Sequence, residues 1–169
     1  MTGNFGRDCR RGFVFAIDMP IVGTTAVATP EPEVMSTIVP EDSLASKLIA
    51  VIDDNKSVAD AMASLLRAWG ATAVCASDGD ALIQALSERR PDAVIADRNL
   101  GGTVDGFTVL KQLETHWGGT LPSLIITGDY NVSDQEQANS TGRRVLQKPV
   151  WADTLLAALR FEISRSAQV

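Results

Sequence analysis

The sequence predicts an α/β fold, a doubly wound parallel sheet of five strands with helices on both faces. Two features carry that expectation. From Lys47 onward, short apolar runs alternate five times with stretches whose apolar residues recur at helical spacing. The runs are unbroken rather than alternating, which is the pattern of strands buried on both faces. In such sheets functional residues gather at the carboxyl ends of the strands.

Leu48-Ile49-Ala50-Val51-Ile52 is the first run, and Asp53-Asp54 ends it. Ala59, Met62, Ala63, Leu65, Leu66 and Trp69 then recur at helical spacing, and Gly70 stops that helix. Ala71 to Ala76 reads as the second strand. Asp80 to Arg89 reads as the second helix, with Leu82, Ile83 and Leu86 inward, and Pro91 follows. Ala93-Val94-Ile95-Ala96 is the third run, ending at Asp97. Past Gly101-Gly102, the third helix turns Phe107, Leu110 and Leu113 to one face. Leu124-Ile125-Ile126 is the fourth strand, ending at Thr127-Gly128, and Asp134 to Asn139 predicts a weak, polar fourth helix. Val145-Leu146 is a short fifth strand ending at Lys148-Pro149, and Asp153 to Ser164 predicts an amphipathic last helix.

Before Lys47 the character of the chain is different. Four of its seven prolines (Pro20, Pro30, Pro32 and Pro40) lie there, with the run Pro30-Glu31-Pro32-Glu33. Such a segment holds neither a helix nor an interior strand, so residues 1–46 are expected to be a linker or extension and 47–166 the domain. A length of 169 residues suits that division.

Composition excludes several classes. With 45% hydrophobic and 21% charged residues, the chain is globular in character. A net charge of −6 disfavours nucleic acid, which calls for a clustered basic face. Arg10-Arg11, Arg89-Arg90 and Arg143-Arg144 read as solvated ends of elements. Cys9 and Cys75 have no metal-ligand spacing, as in a reducing cytosol. No run of about 18 apolar residues exists, so no membrane insertion is expected. Arg10-Arg11 followed by Gly12 to Ile17 has the outline of an export signal, but Asp18 and Pro20 interrupt it, and a cytoplasmic location is expected.

The chemistry lies at the strand ends. The fold would bring Asp53, Asp54, Asp97, Thr127 and Lys148 to one edge. Three converging carboxylates repel one another and call for a cation. Mg²⁺ suits a site with few protein ligands, all oxygen, and a lysine adds a point charge. A carboxylate attacks a phosphoryl group to give an acyl phosphate, and metal, ammonium and hydroxyl neutralise the transferring oxygens. Taken singly, each residue has a plainer reading: a helix N-cap at Asp53-Asp54, turn chemistry at Thr127-Gly128, a solvated Lys148, a surface ion pair for Arg98. Together, in order, they point to phosphoryl chemistry.

The set resembles the receiver domain of two-component response regulators. The matching residues are Val51-Ile52-Asp53-Asp54, Ala96-Asp97-Arg98-Asn99-Leu100, Asp105-Gly106, Ile126-Thr127-Gly128 and Lys148-Pro149. The resemblance implies a CheY-like, flavodoxin-like sheet of strand order 2-1-3-4-5. It makes Asp97 the phosphoacceptor and places Mg²⁺ on Asp54, Asp97 and the carbonyl of Asn99, with Asp53 acting through water. Lys148 would contact the phosphoryl group, Thr127 would donate to it, and a cis bond is expected before Pro149. Partners would be a histidine kinase or histidine phosphotransfer protein. A weak homodimer through the fourth and fifth helices is allowed, though the polar fourth helix adds little to it.

Two departures stand out. Val145 occupies the place of the family's switch aromatic, and the loop from Leu100 to Val104 lacks the common Met-Pro pair. That loop resembles receivers at the carboxyl end of hybrid histidine kinases. Residues 11–20 resemble the last strand of a kinase ATP-binding domain, without the rest of such a domain. With the sequence ending at Val169, no DNA-binding output domain is expected.

Two other functions use overlapping features. A haloacid-dehalogenase-like phosphatase also phosphorylates an aspartate, but it needs an acid two residues on, where Asn99 stands. A phosphorylation-independent interaction module would not need the full acidic set. Apart from slow loss of its own phosphate, with Asn99 and Asp129 near the attacking water by the same resemblance, the chain is not expected to be an enzyme. His116 and the tryptophans read as structural: Trp69 and Trp117 at the core edge, Trp151 packing the last helix on the sheet. Cys75 reads as a small buried apolar residue.

Overall fold

A computed structural model of the chain describes residues 44–101, 104–129 and 131–167. The extension up to residue 43, the kinase-like stretch 11–20, Arg10-Arg11, Cys9, and Gly102 and Thr103 of the loop lie outside the described residues.

Five strands form one parallel sheet in the order β2-β1-β3-β4-β5. They are β1 (Leu48–Ile52), β2 (Thr72–Ala76), β3 (Ala93–Asp97), β4 (Ser123–Thr127) and β5 (Arg144–Gln147). The helices between and after them are α1 (Lys56–Ala68), α2 (Gly79–Leu86), α3 (Gly106–Trp117), α4 (Val132–Thr141) and α5 (Ala152–Ser166). This is the predicted fold and strand order. Among the described residues, no helix is long and apolar enough to cross a membrane.

The unbroken apolar runs are explained by two cores. Alternate residues of β1 point to opposite faces: Ile49 and Val51 join Ala59, Ala63 and Leu66 of α1 and Leu155, Ala158 and Leu159 of α5. Ala50 and Ile52 join Leu82 and Leu86 of α2, Phe107, Leu110 and Leu113 of α3, and Ala138 of α4. Every residue of β3 and β4 is buried, so both faces of the central strands are sealed and only their ends reach solvent.

Several local expectations are corrected. The N-cap of α1 is Asn55, whose side chain accepts from the Ser57 and Val58 amides; Asp53-Asp54 is left for other work. Helix α2 stops at Leu86 rather than Arg89, because Ser87 takes a left-handed φ of 53° and its amide closes on the Ile83 and Gln84 carbonyls. Helix α4 runs longer than predicted, from Val132 to Thr141, capped by the Asn131 side chain and by Gly142 at φ 64°. Arg143 is not solvated: it bonds Glu114 at 2.6 Å and Ser123 Oγ at 2.7 Å with 9% of its side chain exposed. Trp151 does not pack on the sheet; it stands at the start of α5, 75% exposed. Cys75 is half-buried, its thiol against the Ala59 carbonyl, and burial raises its pKa.

Candidate functional site

The site is assembled by strand ends. The β3–β4 register sets Asp97 opposite Ile126, and the β4–β5 register sets Thr127 opposite Gln147. One residue further, the Lys148 amide donates to the Thr127 carbonyl at 2.7 Å. The Asp53 amide donates to Ala76 at 3.2 Å, carrying the β1 ladder one residue past its end. Lys148–Pro149 is cis, as the family resemblance implied. Four loops thereby open at one edge.

Asp53, Asp54 and Asp97 can each offer a carboxylate oxygen within 4.8 Å of the other two. Asp53 and Asp97 are nearly enclosed, at 7% and 9% exposure, and Asp54 faces solvent. Lys148 Nζ bonds one Asp97 oxygen at 2.8 Å, and the Asn99 amide approaches the other at 3.4 Å. Thr127 is buried at this edge, and its Oγ1 donates to the Asp129 carbonyl at 3.1 Å. The residues predicted from sequence therefore lie at this edge, with the Asn99 backbone amide turned toward Asp97.

The electrostatics are those of an incompletely balanced acidic pocket. Burial raises the Asp53 pKa; the Asn55 amide, at 2.8 Å, opposes it. The charges of Asp97 and Asp54 push it further up, while Lys148 pulls it down. One ammonium faces three carboxylates, all hard oxygen donors, and this set fits Mg²⁺. The consequence for stability has a definite sign. A folded-state pKa raised above the unfolded value gives stability that is full below about pH 3.9 and is lost as pH rises through the raised value. Ionised Asp53 is thus a cost to the metal-free fold at neutral pH. Asp53→Asn, which keeps the acceptor for Asn55, is expected to stabilise the metal-free protein by about 1 kcal/mol at pH 7. Thermal unfolding from pH 4 to 7 should show the two proteins diverging as pH rises; parallel curves would refute this.

A second network was not visible from sequence spacing. Arg98, the residue after Asp97, bonds Asp134 at 2.7 Å and Asp105 at 2.8 Å, and its guanidinium lies 5.5 Å from the Phe107 ring centroid. Burial disfavours its charge, yet the bond to Asp134 and the two carboxylates more than compensate, raising its pKa. Gly106 was recognised only as part of a motif, and the structure gives its reason. Its amide donates to the Arg98 carbonyl at 3.1 Å, and a Cβ there would run into the Asp97 carbonyl oxygen.

Comparison with known proteins decides the family. Residues 49–160 match the model of the response regulator receiver domain. The chain belongs to that family. The receiver is 31% identical over 120 residues to response regulator MprA of Mycobacterium sp. (strain KMS), covering 70% of this chain and 51% of the relative. It is 27% identical over 119 residues to the transcriptional regulatory protein YxdJ of Bacillus subtilis, with 70% and 51% covered. The chain thus spans about half the length of these curated relatives. A solved receiver domain protein from Clostridium thermocellum superposes with a TM-score of 0.64 at 25% identity, over 72% of this chain and 98% of that one. Vibrio cholerae CheY4 shares the fold, with a TM-score of 0.61 at 24% identity over 69% and 98%. The acidic triad of this receiver sits where the family's phosphorylation site is expected.

Proposed function

We propose that this receiver takes a phosphoryl group onto Asp97 from a phosphohistidine, carried by a histidine kinase or a histidine phosphotransfer protein, in a cytoplasmic phosphorelay. The observation that carries the reading is the 2.8 Å Lys148–Asp97 pair set beside two further carboxylates. The Asp97 oxygen attacks phosphorus as the bond to the histidine nitrogen breaks; with the phosphohistidine ring protonated on its other nitrogen, the electron pair returns to the ring and leaves an acyl phosphate and a neutral imidazole. Lys148 leaves its ion pair to face a phosphoryl oxygen, and Thr127 Oγ1 turns from Asp129 to donate to another.

Asp54 and Asp97, with the Asn99 carbonyl, would hold Mg²⁺, and Asp53 would act through its water. When bound, Mg²⁺ neutralises charge on the transferring group. Residues 47–166 form the proposed receiver and 1–46 an extension. The names of the relatives given above, a response regulator and a transcriptional regulatory protein, do not point to a hybrid kinase, so the kinase-like reading of residues 11–20 is not carried into the proposal. A phosphatase of the haloacid-dehalogenase type is disfavoured by Asn99, which can neither donate nor accept the proton that such turnover needs.

Purified protein given acetyl phosphate and Mg²⁺ is expected to gain one phosphoryl group, stable to acid and labile to base, by intact mass. Asp97→Asn is expected to gain none. Rapid multiple turnover of small phosphoesters would favour the phosphatase instead.

A further inference from the structure

Helix α4 is attached to the domain by a polar anchor. Its buried residues are Asp134 and Ala138, so one small apolar side chain is all that it contributes to the core. Asp134 is 1% exposed, and its carboxylate meets Arg98 Nε at 2.7 Å. Arg98 itself cannot drift. Its amide donates to Ile126 at 2.7 Å, its carbonyl accepts from Gly106, and its guanidinium also holds Asp105 at the head of α3. The residue next to the phosphoacceptor therefore grips the amino ends of α3 and α4 together.

A second connection joins the same places. Thr127 Oγ1 donates to the Asp129 carbonyl, and two residues on Asn131 caps α4 by accepting from the Asp134 amide at 3.0 Å. Thr127 thus holds the loop at Asp129, and Asn131 holds the first turn of α4 at Asp134. Val145, half-buried against the α2–α3 core, has no ring with which to signal.

We propose that the Arg98–Asp134 ion pair is a latch holding α4 in its unphosphorylated position, opened when Thr127 leaves Asp129 for the phosphoryl group. The proposal rests on Asp97 being the phosphoacceptor. Once Thr127 releases the loop, its rearrangement pulls Asp134 from Arg98. A buried carboxylate without its partner is unfavourable, so Asp134 turns to water and the first turn of α4 goes with it. Arg98 acts as a positioning residue and does not touch the transferring group.

Hydrogen exchange across 129–141, with and without acetyl phosphate and Mg²⁺, tests the latch, with intact mass recording label in each sample. In the parent, exchange there is expected to rise at least about threefold on phosphorylation. Arg98→Ala should show the raised exchange without phosphate and little further change, while labelling as the parent does. The apolar pair Arg98→Met with Asp134→Leu should keep α4 protected in both states, also with normal label; this separates a latch from mere loss of folding. Normal label with an unresponsive parent α4, a protected and responsive α4 in Arg98→Ala, or a responsive α4 in the double variant would overturn the latch alone. Absence of label in the parent would overturn the phosphoacceptor reading and the latch with it.

Discussion

Gly106→Ala is expected to destabilise the receiver by about 3 kcal/mol or more, lowering its Tm by roughly 10 °C. The reason is a backbone contact. The added Cβ would overlap the carbonyl oxygen of Asp97 and come within 3.2 Å of that carbonyl carbon and of Ile125 Cδ1. A side chain could rotate away; a carbonyl at the end of a fully buried strand cannot. Either α3 withdraws, losing the Gly106–Arg98 bond and the packing of Phe107 and Leu110, or the end of β3 shifts and takes Asp97 from Lys148. Acceptance of phosphate should fall with stability. A Tm within about 2 °C of the parent, by calorimetry, would show that the close approach does not govern this turn.

Asp54→Ala is expected to weaken Mg²⁺ binding by at least about 100-fold while leaving the fold intact. Partners that only orient a metal's ligands are worth about 10- to 100-fold in affinity, so loss of a ligand should cost no less. Asp54 is exposed and belongs to no core cluster, so its removal opens no cavity. It also relieves repulsion on Asp53, so the metal-free Tm should hold or rise. Titration calorimetry measures the affinity, and the labelling rate at fixed Mg²⁺ should fall in step. Unchanged Mg²⁺ affinity would remove Asp54 from the metal site.

The parts that were legible in the sequence are those fixed by burial. Ile49-Ala50-Val51-Ile52 and Leu124-Ile125-Ile126 read as strands because both faces of the sheet exclude water, and the polar residue after each run had to lie at the sheet edge. That is why Asp53, Asp97, Thr127 and Lys148 read from sequence as residues of one edge. Features set by tertiary geometry did not show. Arg98 meets Asp134 across 36 residues and Arg143 meets Glu114 across 29, and no periodicity encodes such pairs. The early end of α2 depends on one left-handed serine, and the exposure of Trp151 on how α5 begins. The need for glycine at 106 appears only once α3 is laid against β3.

The identity of the modified carboxylate can be read directly. Borohydride reduces an acyl phosphate to an alcohol, so treating the phosphorylated protein should convert one aspartate to homoserine, located by peptide sequencing in a mass spectrometer. Phosphorylation of Asp97 predicts homoserine at that position alone, dependent on Mg²⁺ and absent in Asp97→Asn. Homoserine at Asp53 or Asp54, or undiminished labelling of Asp97→Asn, would contradict it.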